Sequence, residues 1–313
     1  MKILVTGGAG FIGNHLCRFL LKEGHKVICV DNLCSGYSEN IDDLLHMYEN
    51  FSFLKLDITT PMFMLYNFKN IDQIYHLACM ASPKYYQTFP LQTIKTCVNG
   101  TINILDCARR NYAKVLFTST SEIYGEPLEH PQSESYRGNV NTLGIRSCYD
   151  EGKRIAETIM MEYNRLYNVD TKIVRLFNTY GPVMNKQDGR VVSNFIHQAL
   201  SNSKITIYGD GSQTRSLCYI DDTVDGLVKM MNSKENGPIN LGNPHEYNIN
   251  YIADLIIKLS NSTSIKENLP IPNDDPTRRC PDITKAITFL GWEPKVTLEE
   301  GLKLTIQYCV ENK

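Results

Sequence analysis

The stretch KILVTGGAGFIG, residues 2–13, decides the fold. An apolar, β-branched run stops at a glycine cluster and passes into the amphipathic segment Asn14–Glu23, the pattern of a strand, a tight turn and a helix. Gly7, Gly10 and Gly13 allow the tight turn, close approach of backbone to a pyrophosphate and tight helix packing, while the helix N-terminus attracts phosphate charge. Phe11 and Ile12 complete the loop. The next strand, KVICVD, ends in Asp31, 18 residues after Gly13. A carboxylate there can accept from both ribose hydroxyls and would repel a 2′-phosphate, so the unit is expected to bind NAD rather than NADP. Asn32 follows it, Asp57 and Ile58 at the end of FSFLKLDI are placed at the adenine edge, and Leu77 completes the expected cofactor set.

Working outward, short apolar runs alternate with amphipathic segments: FSFLKLD, QIYHLA, KVLFTST and KIVRLF are strands, and helices are expected over Leu91–Asn111 and Tyr149–Tyr167. This rhythm predicts an α/β fold, a Rossmann-type doubly wound parallel sheet with a smaller C-terminal substrate-binding lobe. Residues 1–180 are assigned to NAD binding and 181–313 mainly to the lobe. Residues 238–245 return to the first domain, with PINLG (238–242) as a strand.

Composition excludes several classes. The 313 residues carry 32 Lys and Arg against 34 Asp and Glu, a net charge of −2, so no basic footprint for nucleic acid or an anionic membrane is present. The ten cysteines show neither a CxxC pair nor Cys/His ligand spacing, which predicts reduced thiols, no metal and no disulfide framework. The first strand starts almost at Met1, leaving no expected leader or membrane span, and a cytoplasmic location follows as an expectation.

Two further motifs carry chemistry. LFTSTSEIYG (116–125) places Thr120, Ser121 and Glu122 where a strand runs out, and ligands of open α/β sheets bind outside the carboxyl ends of strands. Tyr149 and Lys153 form a YxxxK pair on one helix face. An ammonium about 4 Å from a phenolate is worth roughly 4 kcal/mol at an effective dielectric near 20, or about three pKa units. Tyr149 could then remove a hydroxyl proton while NAD takes the hydride from the same carbon, with Thr120 holding the oxygen.

With TGGAGFIG, the Thr/Ser strand end and YxxxK in place, the chain resembles the extended short-chain dehydrogenase/reductases that act on nucleotide sugars. TSTSEIYG, NVNTLGIRSCYDEGKRIAET, RLFNTYGP, DGRVVSNF, IYGDGSQTRS, INLGNP and LGWEP look, within that family, like the UDP-glucuronate decarboxylases (UDP-xylose synthases). The resemblance implies oxidation at C4 of UDP-glucuronate, loss of CO2 from the resulting 4-keto acid, and reduction back to UDP-xylose by the same NADH. Related 4,6-dehydratases carry Thr-Asp-Glu at this strand end. Ser121 replaces that acid, as suits a substrate with no 6-hydroxyl to expel. Glu122 is placed near the sugar carboxylate or C5, and Arg215 near the carboxylate. Asn178, Arg190, Tyr208 and Arg279 are assigned to the UDP handle, the two arginines to diphosphate oxygens, and Tyr86 to the sugar. A homodimer through a four-helix interface built by helices 91–111 and 149–167 is also implied.

Tyr37, Met80, Arg137 and Val183 depart from the family pattern and bear on cofactor contacts and loop rigidity. The competing readings are a 4-epimerase, a 4,6-dehydratase, a decarboxylase that releases the UDP-4-keto-pentose, and an NAD-binding sensor or scaffold without chemistry.

Overall fold

The computed structural model describes residues 1–186, 188–270 and 278–312. Its first half alternates strands β1 (Lys2–Thr6), β2 (Lys26–Asp31), β3 (Phe51–Lys55), β4 (Gln73–His76), β5 (Lys114–Thr120) and β6 (Thr171–Leu176) with helices. The helices are α1 (Phe11–Lys22), α2 (Asp42–Met47), α3 (Pro61–Leu65), α4 (Pro83–Thr88), α5 (Pro90–Lys95), α6 (Thr101–Asn111) and α7 (Ser147–Tyr167). The second half holds β7 (Thr179–Tyr180), α8 (Val191–Leu200), β8 (Ile205–Tyr208), β9 (Thr214–Ser216), β10 (Cys218–Tyr219), α9 (Ile220–Asn232), β11 (Ile239–Leu241), β12 (Glu246–Asn248), α10 (Ile249–Leu259), β13 (Lys266–Leu269), α11 (Thr284–Leu290) and α12 (Leu298–Glu311).

Seven strands form one parallel sheet in the order β3-β2-β1-β4-β5-β6-β11. Helices cover both faces, which explains why the strands read as continuous apolar runs. The pleat divides them: Ile3, Val5, Val27 and Cys29 pack with α1 and α8–α10 on one face, whereas Leu4, Ile28, Val30 and Ile74 pack with α3, α6 and α7 on the other. The chain reverses direction across the sheet between β1 and β4, and a crevice opens there at the strand C-termini. The segment read as a strand over 238–242 contains β11, in parallel register with β6.

Around this frame lie three two-stranded pairs, β7–β10, β9–β12 and β8–β13, which wall the far side of the crevice with α8. Three boundaries differ from the expected ones. Helix α1 begins at Phe11 rather than Asn14, because Asn14 N–H already bonds the Gly10 carbonyl. The expected helix over 91–111 is α5 and α6 joined by a π-helical turn at Thr96–Gly100. Helix α7 begins at Ser147, two residues before Tyr149.

Candidate active site

Gly7 follows β1 with φ of 75°, and a Cβ there would stand 2.8 Å from the Ala78 backbone nitrogen. At Gly13 a Cβ would come within 2.1 Å of the Gly7 carbonyl oxygen. Only glycine lets the loop fold this tightly onto the start of α1, whose N-terminal N–H groups face the crevice. Asp31, at the end of β2, accepts from Ala9 N–H at 3.1 Å and Leu33 N–H at 2.8 Å, so its carboxylate braces the glycine loop while lining the cavity. Burial pushes its pKa up, and those backbone donors pull it partly back. Asp57 anchors the turn into α3 by accepting from Thr59 N–H and Oγ1, and Asn32 donates to its other oxygen at 3.1 Å. The glycine cradle and the enclosed Asp31 fit a dinucleotide without a 2′-phosphate.

Across the crevice Tyr149 is buried in the first turn of α7 and stands by Thr120 at the end of β5, whose hydroxyl favours the phenolate. Tyr86 stacks on it, with ring centroids 5.0 Å apart and 8° between planes. Lys153 is buried on the same face of α7. It donates to the Thr118 carbonyl at 2.7 Å, and its Nζ lies 5.8 Å from the Tyr149 ring centroid. Burial and the Cys79 thiolate field push the Tyr149 phenol up, more than Thr120 and Arg190 pull it down. The downward shift expected from Lys153 alone is therefore corrected: among protein groups, desolvation wins.

Glu122 follows in a short 3₁₀ turn, Ser121–Tyr124, whose first N–H groups Thr120 caps through a 3.2 Å bond from Glu122 N–H. Its carboxylate is clamped by Arg146 and, at 3.3 Å, by Arg279. Burial raises its pKa, but Arg279, Arg146 and then Arg215 outweigh that and hold the group below the usual carboxylate range. Arg279 is only 2% exposed and also donates to the Gly125 carbonyl at 2.7 Å. Arg279 still lines the cavity, and its Nε has no partner among the described residues. Gln132 pairs through backbone and side chain with Cys280, which draws Arg279 under the end of β5.

The catalytic, cofactor and substrate candidates read from sequence all line one cavity of about 590 Å³. Arg190 donates to the Ala81 carbonyl at 3.0 Å and pairs with Asp188 at 3.2 Å, and Arg215 donates to the Thr214 carbonyl. Asn178 and the half-exposed Tyr208 stand on the lobe side, and Ser121 is buried. Sequence reasoning missed Arg146, Cys79 and Asp150. Arg146, the N-cap residue of α7, lies three positions before Tyr149, so the same helix start carries both groups into the site. Cys79 has its Sγ 3.5 Å from that of Cys97. That hydrogen bond brings its thiol down to about 7, against the effect of burial. Asp150 is pushed up to about 7, by burial and then by Glu122. Asp150 Oδ1, Tyr86 OH and Arg279 Nε are buried without a partner among the described residues. Three unsatisfied polar atoms around Glu122 leave hydrogen-bonding capacity for a polar ligand.

Residues 4–305 match the family model described as GDP-mannose 4,6 dehydratase. A curated relative, UDP-glucuronic acid decarboxylase 5 of Arabidopsis thaliana, is 52% identical over 308 residues, 97% of this chain and 88% of that protein. The crystal structure of UDP-glucose 4-epimerase with UDP-glucose from Thermotoga maritima is similar at TM-score 0.92 and 31% identity, covering 100% of this chain and 99% of that one. UDP-glucuronic acid 4-epimerase from Bacillus cereus, in complex with UDP-glucuronic acid and NAD, matches at TM-score 0.88 and 31% identity over 100% of both chains.

Proposed function

Because the chain belongs to the GDP-mannose 4,6 dehydratase family, and within it to the UDP-glucuronic acid decarboxylases, we infer that it is an NAD-using enzyme that converts UDP-glucuronate to UDP-xylose and CO2. The observation that carries this reading is the strand end itself. Thr120 and Tyr149 line the cavity side by side for work on a hydroxyl, Ser121 leaves no acid for dehydration, and Glu122 is locked to two arginines.

Gly7, Gly10, Phe11, Ile12, Gly13, Asp31, Asn32, Asp57, Ile58 and Leu77 are the residues to hold NAD, with Tyr149 and Lys153 at its reactive end. Bound NAD supplies a hydride acceptor for C4 of the sugar, a returning hydride, and a positive charge that favours phenolate. Tyr149 accepts the 4-hydroxyl proton, and Thr120 fixes the oxygen it leaves. Lys153, pinned to the Thr118 carbonyl, acts on Tyr149 through its field. Once C4 is a ketone, the C6 carboxylate is β to it, and loss of CO2 places an electron pair at C5 that the C4 oxygen can hold as an enolate. Arg279 and Arg215 supply positive charge for the carboxylate, and Glu122 orients Arg279 and Arg146. Reprotonation at C5 and reduction at C4 close the cycle. Asn178, Arg190 and Tyr208 are assigned to the UDP handle, and Tyr86 to the sugar.

Residues 1–180 with β11 form the cofactor side, and 181–313 mainly the nucleotide-sugar side. The homodimer is placed on α5–α6 and α7, where Leu91, Ile94, Ile155 and Leu166 are exposed. All ten cysteines are unpaired, which supports a reducing, cytoplasm-like compartment, and among the described residues no helix is long and apolar enough to cross a membrane.

Incubation of the purified chain with UDP-glucuronate, with products identified by NMR and CO2 and NADH followed in parallel, tests the reading. UDP-xylose and CO2 without net NADH are expected. Unchanged substrate or UDP-galacturonate overturns it, and net NADH with a 4-keto-pentose replaces it with the early-release reaction.

A further inference from the structure

Outside the cavity, three segments distant in sequence bring a histidine, a glutamate and a cysteine to one point. His130 lies in the loop after the 3₁₀ turn, Glu246 begins β12, and Cys280 follows Arg279. One nitrogen, one carboxylate oxygen and the Sγ lie within 4.8 Å of one another. We propose that His130, Glu246 and Cys280 form a binding site for a zinc-class divalent cation, with the fourth position left to water.

The donor set selects the metal class. An imidazole, a carboxylate and a thiolate suit Zn²⁺, whereas Mg²⁺ and Ca²⁺ take oxygen donors. Tetrahedral Zn²⁺ with ordinary bond lengths separates its ligand atoms by about 3.3–3.8 Å. His130 Nε2 and Glu246 Oε2 are 2.8 Å apart, so side-chain rotation that opens this pair and draws in Cys280 completes the set.

The frame is already held. Glu246 Oε1 accepts from Thr214 Oγ1 at 2.5 Å, which leaves Oε2 facing His130. Cys280 N–H donates to Gln132 Oε1 at 2.9 Å, and Gln132 N–H donates to the Cys280 carbonyl at 2.8 Å, so two of the ligand-bearing segments are tied together. His130 is exposed and Cys280 buried, which gives an ion entry from one side only. Burial, then the charges of Glu246 and Asp282, push the Cys280 thiol up to about 11. The same negative field attracts a cation. On binding, the metal forms a bond to Cys280 Sγ and one proton leaves to solvent. One thiolate, one carboxylate and a neutral imidazole then balance the two positive charges.

The site stands outside the reaction itself. It fastens the segment carrying Arg279 to the β9–β12 ribbon, where Tyr247 sits opposite Arg215. The ion would thus hold two of the arginines around Glu122 in fixed relation.

Titration of the chelator-treated full chain with Co²⁺ under anaerobic conditions, followed by Zn²⁺ competition, tests this. One Co²⁺ per chain is expected, with a thiolate-to-cobalt charge-transfer band that Zn²⁺ abolishes. Outer-shell partners alone are worth about 10–100-fold in metal affinity, so His130→Gln and Cys280→Ser should each weaken binding by more than about 100-fold. Cys280→Ser should also remove the band. His130→Gln changes an exposed side chain and keeps the test open where Cys280→Ser does not fold. Absence of the band, unchanged affinity in a folded variant, or equal displacement by Mg²⁺ overturns the proposal.

Discussion

At Glu122, arginines outweigh burial, and Arg146 both pairs with the carboxylate and adds its charge to that of Arg279. Arg146→Ala leaves a largely enclosed carboxylate with Arg279 as its remaining direct pair, and a charge-assisted bond of this kind is worth about 1.5–3 kcal/mol. Denaturant unfolding should show a loss of that size, and kcat should fall more than KM rises. Tyr149→Phe should lower kcat by roughly 10²–10⁴ with substrate affinity kept, measured as CO2 release and equilibrium binding. Asp150 offers a pH readout. Its folded pKa of about 7 lies above the ordinary 3.8 of an aspartate, so its stabilising contribution is fully present below about pH 3.8 and is lost as pH rises through about 7. Melting curves of the wild type and Asp150→Asn should therefore separate progressively from pH 4 to 7, with the wild type losing stability relative to the variant. A constant offset would show that Asp150 does not titrate there.

The elements around these residues owe their positions to close approaches at glycine. Gly13→Ala would drive a Cβ into the Gly7 carbonyl, forcing α1 away from the loop. Overpacking of this kind costs about 1–3 kcal/mol, and NAD affinity measured by calorimetry should fall alongside stability. Unchanged NAD affinity would detach Gly13 from the cofactor cradle. The β1–loop–α1 unit was legible because its signals are local: a β-branched run, glycines at fixed spacing and an apolar helix face. Its exact start was not, since Phe11–Gly13 read as loop until the Gly10 carbonyl accepts Asn14 N–H. The π-helical turn at Thr96–Gly100 had no local signal. It lies where Gly100 meets Ile58, whose Cδ1 would stand 2.6 Å from an added Cβ, and where Cys97 meets Gly152 of α7. Tertiary packing, absent from the periodicity, sets that turn. Val183 is similar: its φ of 68° is a left-handed conformation costly for a β-branched residue, and nothing in its neighbours in sequence announces it.

Across the whole molecule, the cavity joins segments that sequence spacing cannot relate. The Glu122–Arg279 pair spans 157 positions, so no spacing announces it, while Tyr149 and Thr120 were read together from their motifs. Tyr37 shows the same long reach. Its hydroxyl lies 2.9 Å from that of Tyr85 and accepts from Asn185 Nδ2 at 2.6 Å, so three segments meet over the mouth of the cavity. Tyr37→Phe removes both bonds and leaves the ring in place. Each such bond contributes about 0.5–1.5 kcal/mol, so release of labelled NAD in stopped-flow exchange should accelerate about 2–10-fold or more. The turnover number should hold, because no catalytic group touches Tyr37. Asn185→Ala should reproduce part of the effect, since it removes one of the bonds that tie the second half of the chain to the first and leaves the Tyr37–Tyr85 bond. Unchanged exchange in both variants would mean that the cavity mouth is held by the packing of its walls, with the tyrosine pair a surface contact only.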